Sequence, residues 1–373
     1  MSLFSLRGEL NKSQNITLGF AGFIVSLLIW WAAAEAFSVQ KPVVAQANEL
    51  PSVADTSVSA AQRELMIKQD SANYADAKTF VKIYPILPPP HRVIASFPEL
   101  SNKDALWSNT FRSVWLNVQG YLWAMFFAVP LGFLIGLIPL VRGLFSKQVD
   151  ALRYLPLTAL TGLFIVWFGI DDKMKIAFLA FGIIVYLLPV VVQRIFEVQD
   201  VYLQTAYTLG ATNWQTIKTV YLPAVFAKLI DDIRVLTAIS WTYIIIAELL
   251  NREGGIGALI YQKSRQGQVE KVFAILIVII TIGFLQDRIF AFTDKRLFPH
   301  KYYATAPDGL KESQYGIYSI LLGVVFATFI TSFAPSVASN IELLVPIVIV
   351  SALLIIGYGE FKIRKSDVQM IKN

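Results

Sequence analysis

The feature that most constrains this chain is a succession of long apolar runs. They lie at 16–37, 114–141, 152–170, 176–192, 224–250, 272–292, 317–333 and 341–358. Each comes close to the roughly 20 helical residues needed to cross about 30 Å of hydrocarbon. Lipid offers no hydrogen-bond partner to an open backbone, so a crossing segment has to close its own bonds as a helix. The sequence therefore predicts an all-α integral membrane protein, a polytopic helical bundle of roughly eight transmembrane helices. Composition agrees: 55% of the residues are hydrophobic, 16% are charged and the mean hydropathy is +0.57, where a soluble domain carries about 25% charged residues.

The chain has no cysteine, which excludes disulfides, thiolate metal sites and cysteine nucleophiles. Its net charge of +6 is read as topology, because Lys and Arg in short connections favour the cytoplasmic side. Arg7 and Lys12, then Arg142, Lys147 and Arg153, then Lys295, Arg296, Lys301 and Lys311, then Lys362, Arg364 and Lys365 fall on alternate connections. Both termini are then expected in the cytoplasm, with 38–109 outside and the connection 194–223 inside. One connection runs against the rule: Lys263 and Arg265 land outside, and moving them in would overturn every other assignment.

The first 37 residues are read as an uncleaved transmembrane anchor. Ala34-Glu35-Ala36 and Ala45-Gln46-Ala47 fit a signal-peptide cleavage pattern, but the apolar run exceeds the usual 7–15 residues. The segment 38–109 reads as an extracytoplasmic linker or lid. Its stretch 39–81 shows no strand-like alternation, 59–78 suits a polar helix, and Pro88-Pro89-Pro90 stiffens the approach to the membrane core by fixing φ.

Between the runs 176–192 and 224–250 the chain inserts a polar, amphipathic stretch containing Gln204-Thr205-Ala206, Gly210-Ala211 and Val220-Tyr221-Leu222-Pro223. A helix over 201–209 is expected to stop at Gly210, since glycine tolerates the left-handed conformation of a helix stop. Thr212 and Gln215 have capping-box spacing for a second helix, and Pro223 suits the first turn of the helix that re-enters the membrane. Thr205, Ala206, Gly210 and Ala211 offer a small-residue packing surface. From these residues alone, an amphipathic loop lying on the membrane serves equally well.

The order of residues in this stretch resembles the EAA loop of bacterial ABC importer permeases, written E-A-A-x3-G-x9-I-x-L-P. Here Gln204, Thr205 and Val220 replace the usual Glu, Ala and Ile. The resemblance covers about 87–301 and is similar to the nitrate/sulfonate/taurine type. It is carried in order by Leu87-Pro88-Pro89-Pro90, Pro130-Leu131-Gly132, Arg153-Tyr154-Leu155-Pro156-Leu157, 165–170 (Ile-Val-Trp-Phe-Gly-Ile), the EAA-like loop, Ile246-Ala247-Glu248-Leu249 and Gly254-Gly255-Ile256-Gly257. It implies a permease core over 110–301 whose loop 194–223 docks, through Gln204, Thr205, Ala206, Gly210, Ala211, Leu222 and Pro223, onto separate ABC ATPase subunits that carry ATP and Mg. It also implies a second permease subunit as a homodimer partner, an extracytoplasmic substrate-binding protein, and residence in the bacterial inner membrane. The substrate class implied is a small anion such as nitrate, bicarbonate, a sulfonate or taurine. Residues 302–373 lie beyond the resemblance and read as a peripheral two-helix hairpin facing lipid, or as a partner contact.

Candidates for a substrate path are the polar residues of the apolar runs: Thr158, Thr161, Ser240, Thr242, Tyr243 and Glu248. An acid near a span end is costly to bury and marks a candidate functional site, though a hydrated interfacial carboxylate is an equal reading. The hydroxyls serve a polar path or bonds between helices. Asp231 and Arg234 are spaced for a pair within one helix. No G-x-x-x-x-G-K-[ST] loop occurs, so the chain itself is not expected to bind ATP or to be an enzyme. The only histidines, His91 and His300, are far apart, which disfavours a metal cluster or a Ser-His-Asp triad. Two other classes compete: a gradient-driven secondary transporter, which would show mid-membrane ionisable residues or broken repeats, and a non-transporting sensor or scaffold built on 38–109. Nothing points to nucleic acid.

Overall fold

The computed structural model describes residues 10–42, 80–251, 253–303, 305–333 and 344–366. Its elements are α1 (Lys12–Ala36), β1 (Val39–Pro42), β2 (Phe80–Ile83), α2 (Pro90–Asn102), α3 (Leu106–Leu137), α4 (Pro139–Leu152), α5 (Thr161–Phe168), α6 (Asp172–Phe196), α7 (Asp200–Thr208), α8 (Asn213–Thr216), α9 (Leu222–Asn251), α10 (Ile256–Arg265), α11 (Val269–Leu297), α12 (Leu310–Phe333) and α13 (Leu344–Lys365). Seven of the helices are long and apolar enough to cross a membrane, and up to eight if one bent pair is a single span. The chain divides into two compact units: one runs to Ala105 and takes in 260–277, and the other holds Leu106–Leu259 and the rest from Val278 on.

In the first unit β1 pairs antiparallel with β2, Val39 opposite Ile83 and Pro42 opposite Phe80. The chain leaving α1 therefore returns to its starting point. This corrects the expectation of a strand-free linker, because four-residue strands are too short to show alternation and their pairing partner is distant in sequence. The candidate polar helix 59–78 and the Ala45-Gln46-Ala47 triplet lie outside the described residues. The proline run also does more than stiffen: Pro89 is the extended N-cap of α2 and Pro90 its first residue, where a missing N–H costs no helical bond. Lys263 and Lys271, both nearly buried, share the Asp104 carboxylate at 2.6 and 2.8 Å, and Lys271 also reaches Glu99. Burial pushes the Asp104 carboxyl up, but the two ammonium groups outweigh it and hold it below its ordinary range. Lys263, a basic residue that ran against the sign rule, is thus neutralised by an acid close in space.

The second unit is organised by α3 and α6, which run parallel. Gly120 faces Leu179, Gly132 faces Val191 and Gly136 faces Ile195, with the same sequence offset each time. A Cβ on Gly132 would sit 2.5 Å from Val191 Cγ1, and one on Gly136 2.6 Å from Ile195 Cδ1. The small-xxx-small pair Gly132/Gly136 therefore lets two backbones approach, as in lipid-embedded helix pairs where apolar burial cannot drive association. Phe178, Ile183, Leu187 and Val191 on α6 are fully buried in the core that α9 completes with Val225 and Leu229.

Parallel neighbours need a return path, and it differs from the continuous span expected at 152–170. α4 stops at Leu152 and the chain bends by 94° before the pair of short helices 157–160 and α5. Pro156 gives the reason: it has no N–H for the Leu152 carbonyl, its ring would strike that carbonyl, and it drives the preceding residue to extended geometry. The run expected at 114–141 is likewise divided, because Ile138 is extended (ψ 109) ahead of Pro139.

α12 and α13, read as a peripheral hairpin, pack on one another and are tied to the end of α11. Arg296 forks onto both Glu360 oxygens at 2.6 Å, its side chain 8% exposed. Phe329 and Phe333 close around Trp123 of α3.

Candidate functional site

The stretch 194–223 is built as the sequence implies locally. α7 ends before Gly210, whose φ of +78° is the left-handed stop. Thr212 caps α8 in a box with Gln215: the Thr212 N–H donates to Gln215 Oε1 at 2.8 Å, and the Gln215 N–H donates back to Thr212 Oγ at 3.4 Å. Pro223 sits where the helix wall changes pitch. It stands in the first turn of α9, as expected, but α9 has no free start there, because α8 runs on through a π turn at Ile217–Tyr221 into α9 as one continuous span. A turn of wider pitch is where a helix accommodates the bond a proline cannot make.

Two feet hold this loop. At the end of α6 the Arg194 guanidinium donates to both Asp232 oxygens on α9 at 2.7 Å, and to Glu197 at 2.6 and 2.9 Å. Lys228 reaches Glu197 at 3.1 Å. The Arg194 hydrogen bonds hold the Glu197 carboxyl below the usual carboxylate range, against a smaller opposing effect of burial. The expected Asp231–Arg234 pair does not form: Arg234 pairs with Asp287 and Asp231 accepts from Lys301. Both partners are far away in sequence, and charges on one face of α9 meet α11 before they meet each other.

Large apolar side chains stand out among the polar residues that the loop presents. Leu209 is 82% exposed and Trp214 70%, with Val201 and Tyr202 beside them. Gln204, Thr205 and Gly210 are also exposed, while Ala206 and Ala211 are half-buried and bonded to one another through the Ala211 N–H and the Ala206 carbonyl. Leu222 is half-buried and Pro223 exposed. Leu203, Val220 and Tyr221 turn inward onto the core. The two alanines therefore shape the turn, and its surface is shared by bulky apolar and polar side chains.

At the opposite end of α3, α6 and α9 lies Glu248, with no exposed surface. Ser113 donates to its Oε1 at 2.5 Å and the Gly257 N–H to its Oε2 at 2.8 Å. Ser113 Oγ accepts from the Ile256 N–H, and Asn109 Oδ1 accepts from the Gly255 N–H, each at 2.8 Å. A Cβ on Gly255, at φ +99°, would collide with the Glu248 carboxylate. Glu248 is thus a staple that fastens the turn 253–257 to α3. Arg112 extends the same cluster, donating to the Glu253 carbonyl and to both Asp172 oxygens at 3.1 Å.

Of the other path candidates, Ser240 is buried and donates to Asn117 Oδ1 at 3.1 Å. Tyr243 is buried edge-on to Phe178 and covers Gly182. Thr242 and Thr158 are exposed, and Thr161 bonds the Thr158 carbonyl. The fold thus gathers Ser240, Tyr243 and Glu248 in the interior of α9 and leaves the three threonines out. Sequence reasoning missed Ser113 and Asn117, although polar residues four apart at the start of an apolar run are a readable sign of a helix contact. It also missed Gly132-x-x-x-Gly136, a small-residue pair with the same local signature.

Residues 128–299 match the sequence family described as binding-protein-dependent transport system inner membrane component. The chain is 26% identical over 218 residues to the taurine transport system permease protein TauC of Escherichia coli, covering 57% of this chain and 79% of that protein. It is 28% identical over 215 residues to the putative aliphatic sulfonates transport permease protein SsuC of Bacillus subtilis, covering 57% of this chain and 77% of that one. Among solved structures, the MetNI methionine ABC transporter in an inward-facing conformation is matched at 17% identity and a TM-score of 0.47, over 52% of this chain and 99% of that chain.

Proposed function

We propose, from the premise that residues 128–299 of this chain belong to the binding-protein-dependent transport inner membrane component family, that its loop 194–223 is the lever through which a separate ATPase drives transport. The chain is a permease subunit of an ATP-binding-cassette importer. The observation that carries the lever is mechanical. The loop is exposed, shows Leu209 and Trp214 to solvent, and is rooted through Arg194, Asp232 and Glu197 in both α6 and α9. A push on it is delivered to two spans at once, a rigid-body switch of the kind packed helices support.

On this reading both termini and the loop lie in the cytoplasm, where ATP is. Glu248 and the turn 253–257 then lie at the outer end, where a substrate-binding protein delivers solute. A second copy of the chain completes the path. The solute is a small anion of the sulfonate class, in keeping with the relatives named for taurine and aliphatic sulfonates.

The test is reconstitution in liposomes with the ATPase and binding protein that co-purify with the tagged chain. ATP-driven uptake of labelled taurine or an alkanesulfonate is expected, and Gly210→Trp should abolish ATPase coupling while insertion stays intact. Uptake that persists without the ATPase, or normal coupling in Gly210→Trp, overturns the lever.

A further inference from the structure

A cleft of about 780 Å³ opens on the second unit between α3, α5, α6 and the end of α12, within the roughly 300–1,000 Å³ range of small-molecule sites. One face of α3 forms its floor. Arg112, Trp115, Gln119, Trp123 and Phe127 follow one another at helical spacing from the helix start inward, and Trp167 of α5 forms the far wall. Two polar groups in it have no structural employment. Gln119 is 5% exposed and makes no hydrogen bond among the described residues, and its carboxamide, which is not among the fully enclosed unpartnered groups, lines the cleft. Lys173, exposed at the mouth, has no ion-pair partner among the described residues. Asp172, the one carboxylate in the lining, is already shared by Arg112 and Lys175, so the lining itself carries two cations, Arg112 and Lys173, against one acid.

A long apolar trough in a membrane-spanning unit, cationic at one end and with a single hydrogen-bonding amide about two helical turns inside, has the polarity profile of one amphiphile. We propose that this cleft is a binding site for one anionic phospholipid from the leaflet opposite the loop 194–223. Its phosphate sits at Lys173 and Arg112, an ester oxygen accepts from Gln119, and an acyl chain lies against Trp115, Trp123 and Trp167. A small polar anion would leave the aromatic walls unused. The end of α12, through Thr331 and Ser332, closes one side, so the C-terminal hairpin helps to build the site. The inference stands whatever solute the chain carries.

The experiment is native mass spectrometry of the purified full-length chain with dioleoylphosphatidylglycerol or dioleoylphosphatidylcholine. Wild type is expected to retain one phosphatidylglycerol, preferred by about fivefold, as expected for one basic residue at an anionic surface. Lys173→Glu should erase the preference and leave phosphatidylcholine retention unchanged. Gln119→Leu, nearly the same size, should lower retention of both lipids alike, and Ala177→Phe should fill the cleft and remove both. Equal retention of the two lipids by wild type, or unchanged retention in Gln119→Leu, overturns the proposal. In a parallel run with taurine in place of lipid, retention of taurine that Ala177→Phe removes would make the cleft a solute site, and loss of a dimer mass in Ala177→Phe would make it a contact between copies; either result also overturns it.

Discussion

The two ends of the α3/α6/α9 bundle are closed by opposite kinds of chemistry. At one end a fully buried carboxylate, Glu248, accepts from a hydroxyl and a backbone N–H with no solvent to replace it, and the half-exposed Arg112–Asp172 pair lies beside it. At the other, Arg194, Glu197, Lys228 and Asp232 form a redundant, partly hydrated network. A buried polar group without a partner costs far more than an exposed ion pair contributes. The first end is therefore held by groups that tolerate no loss of a partner, and the second by ion pairs that can be lost one at a time.

The largest effect that sharpens this contrast is expected from Glu248→Ala. It orphans Ser113 and the Gly257 N–H and should cost about 2–4 kcal/mol in denaturant unfolding in mild detergent; a loss below ~1 kcal/mol would show that this end is hydrated. Gly132→Leu comes next. The added side chain drives into Val191, and overpacking of this kind costs about 1–3 kcal/mol, read from the same unfolding curve. A wild-type result would deny the close α3–α6 seam.

Acid should separate the two ends. Glu197 has a folded pKa below its ordinary value, so its stabilisation is present above the usual carboxylate range near 4.3 and is lost as pH falls through the folded value. Amide exchange over 194–223 should accelerate below about pH 4, and exchange that ignores pH there would detach Glu197 from the foot of the loop. The smallest effect on stability belongs to Trp214→Ala, within about 0.5 kcal/mol as for surface changes, yet it should break ATPase association in a pull-down that scores ATP hydrolysis. Retained association would move the docking surface away from Trp214.

The spans were legible because each is a local property of about 20 residues. The stop at Gly210 and the box of Thr212 with Gln215 were legible for the same reason, since every bond they make lies within a few residues. Leu152–Pro156 carried a readable break that hydropathy hides, because a window average does not see a missing N–H. Arg194–Asp232, Arg234–Asp287 and Arg296–Glu360 were not readable, for each joins helices whose adjacency no local pattern states. The loop 194–223 shows the same division: its turn is legible locally, but not the turning of Leu209 and Trp214 to solvent.

The sequence by itself determined that this chain crosses a membrane several times and inserts one amphipathic loop between two of its apolar runs. Transfer free energies add along the chain, and helix stops act on near neighbours. Only the tertiary structure decided that α3 and α6 run parallel on a glycine seam, that Glu248 is a staple rather than a free acid, and that Gln119 and Lys173 face a common cleft. Those outcomes depend on which surfaces meet, and contact between distant segments has no local signature.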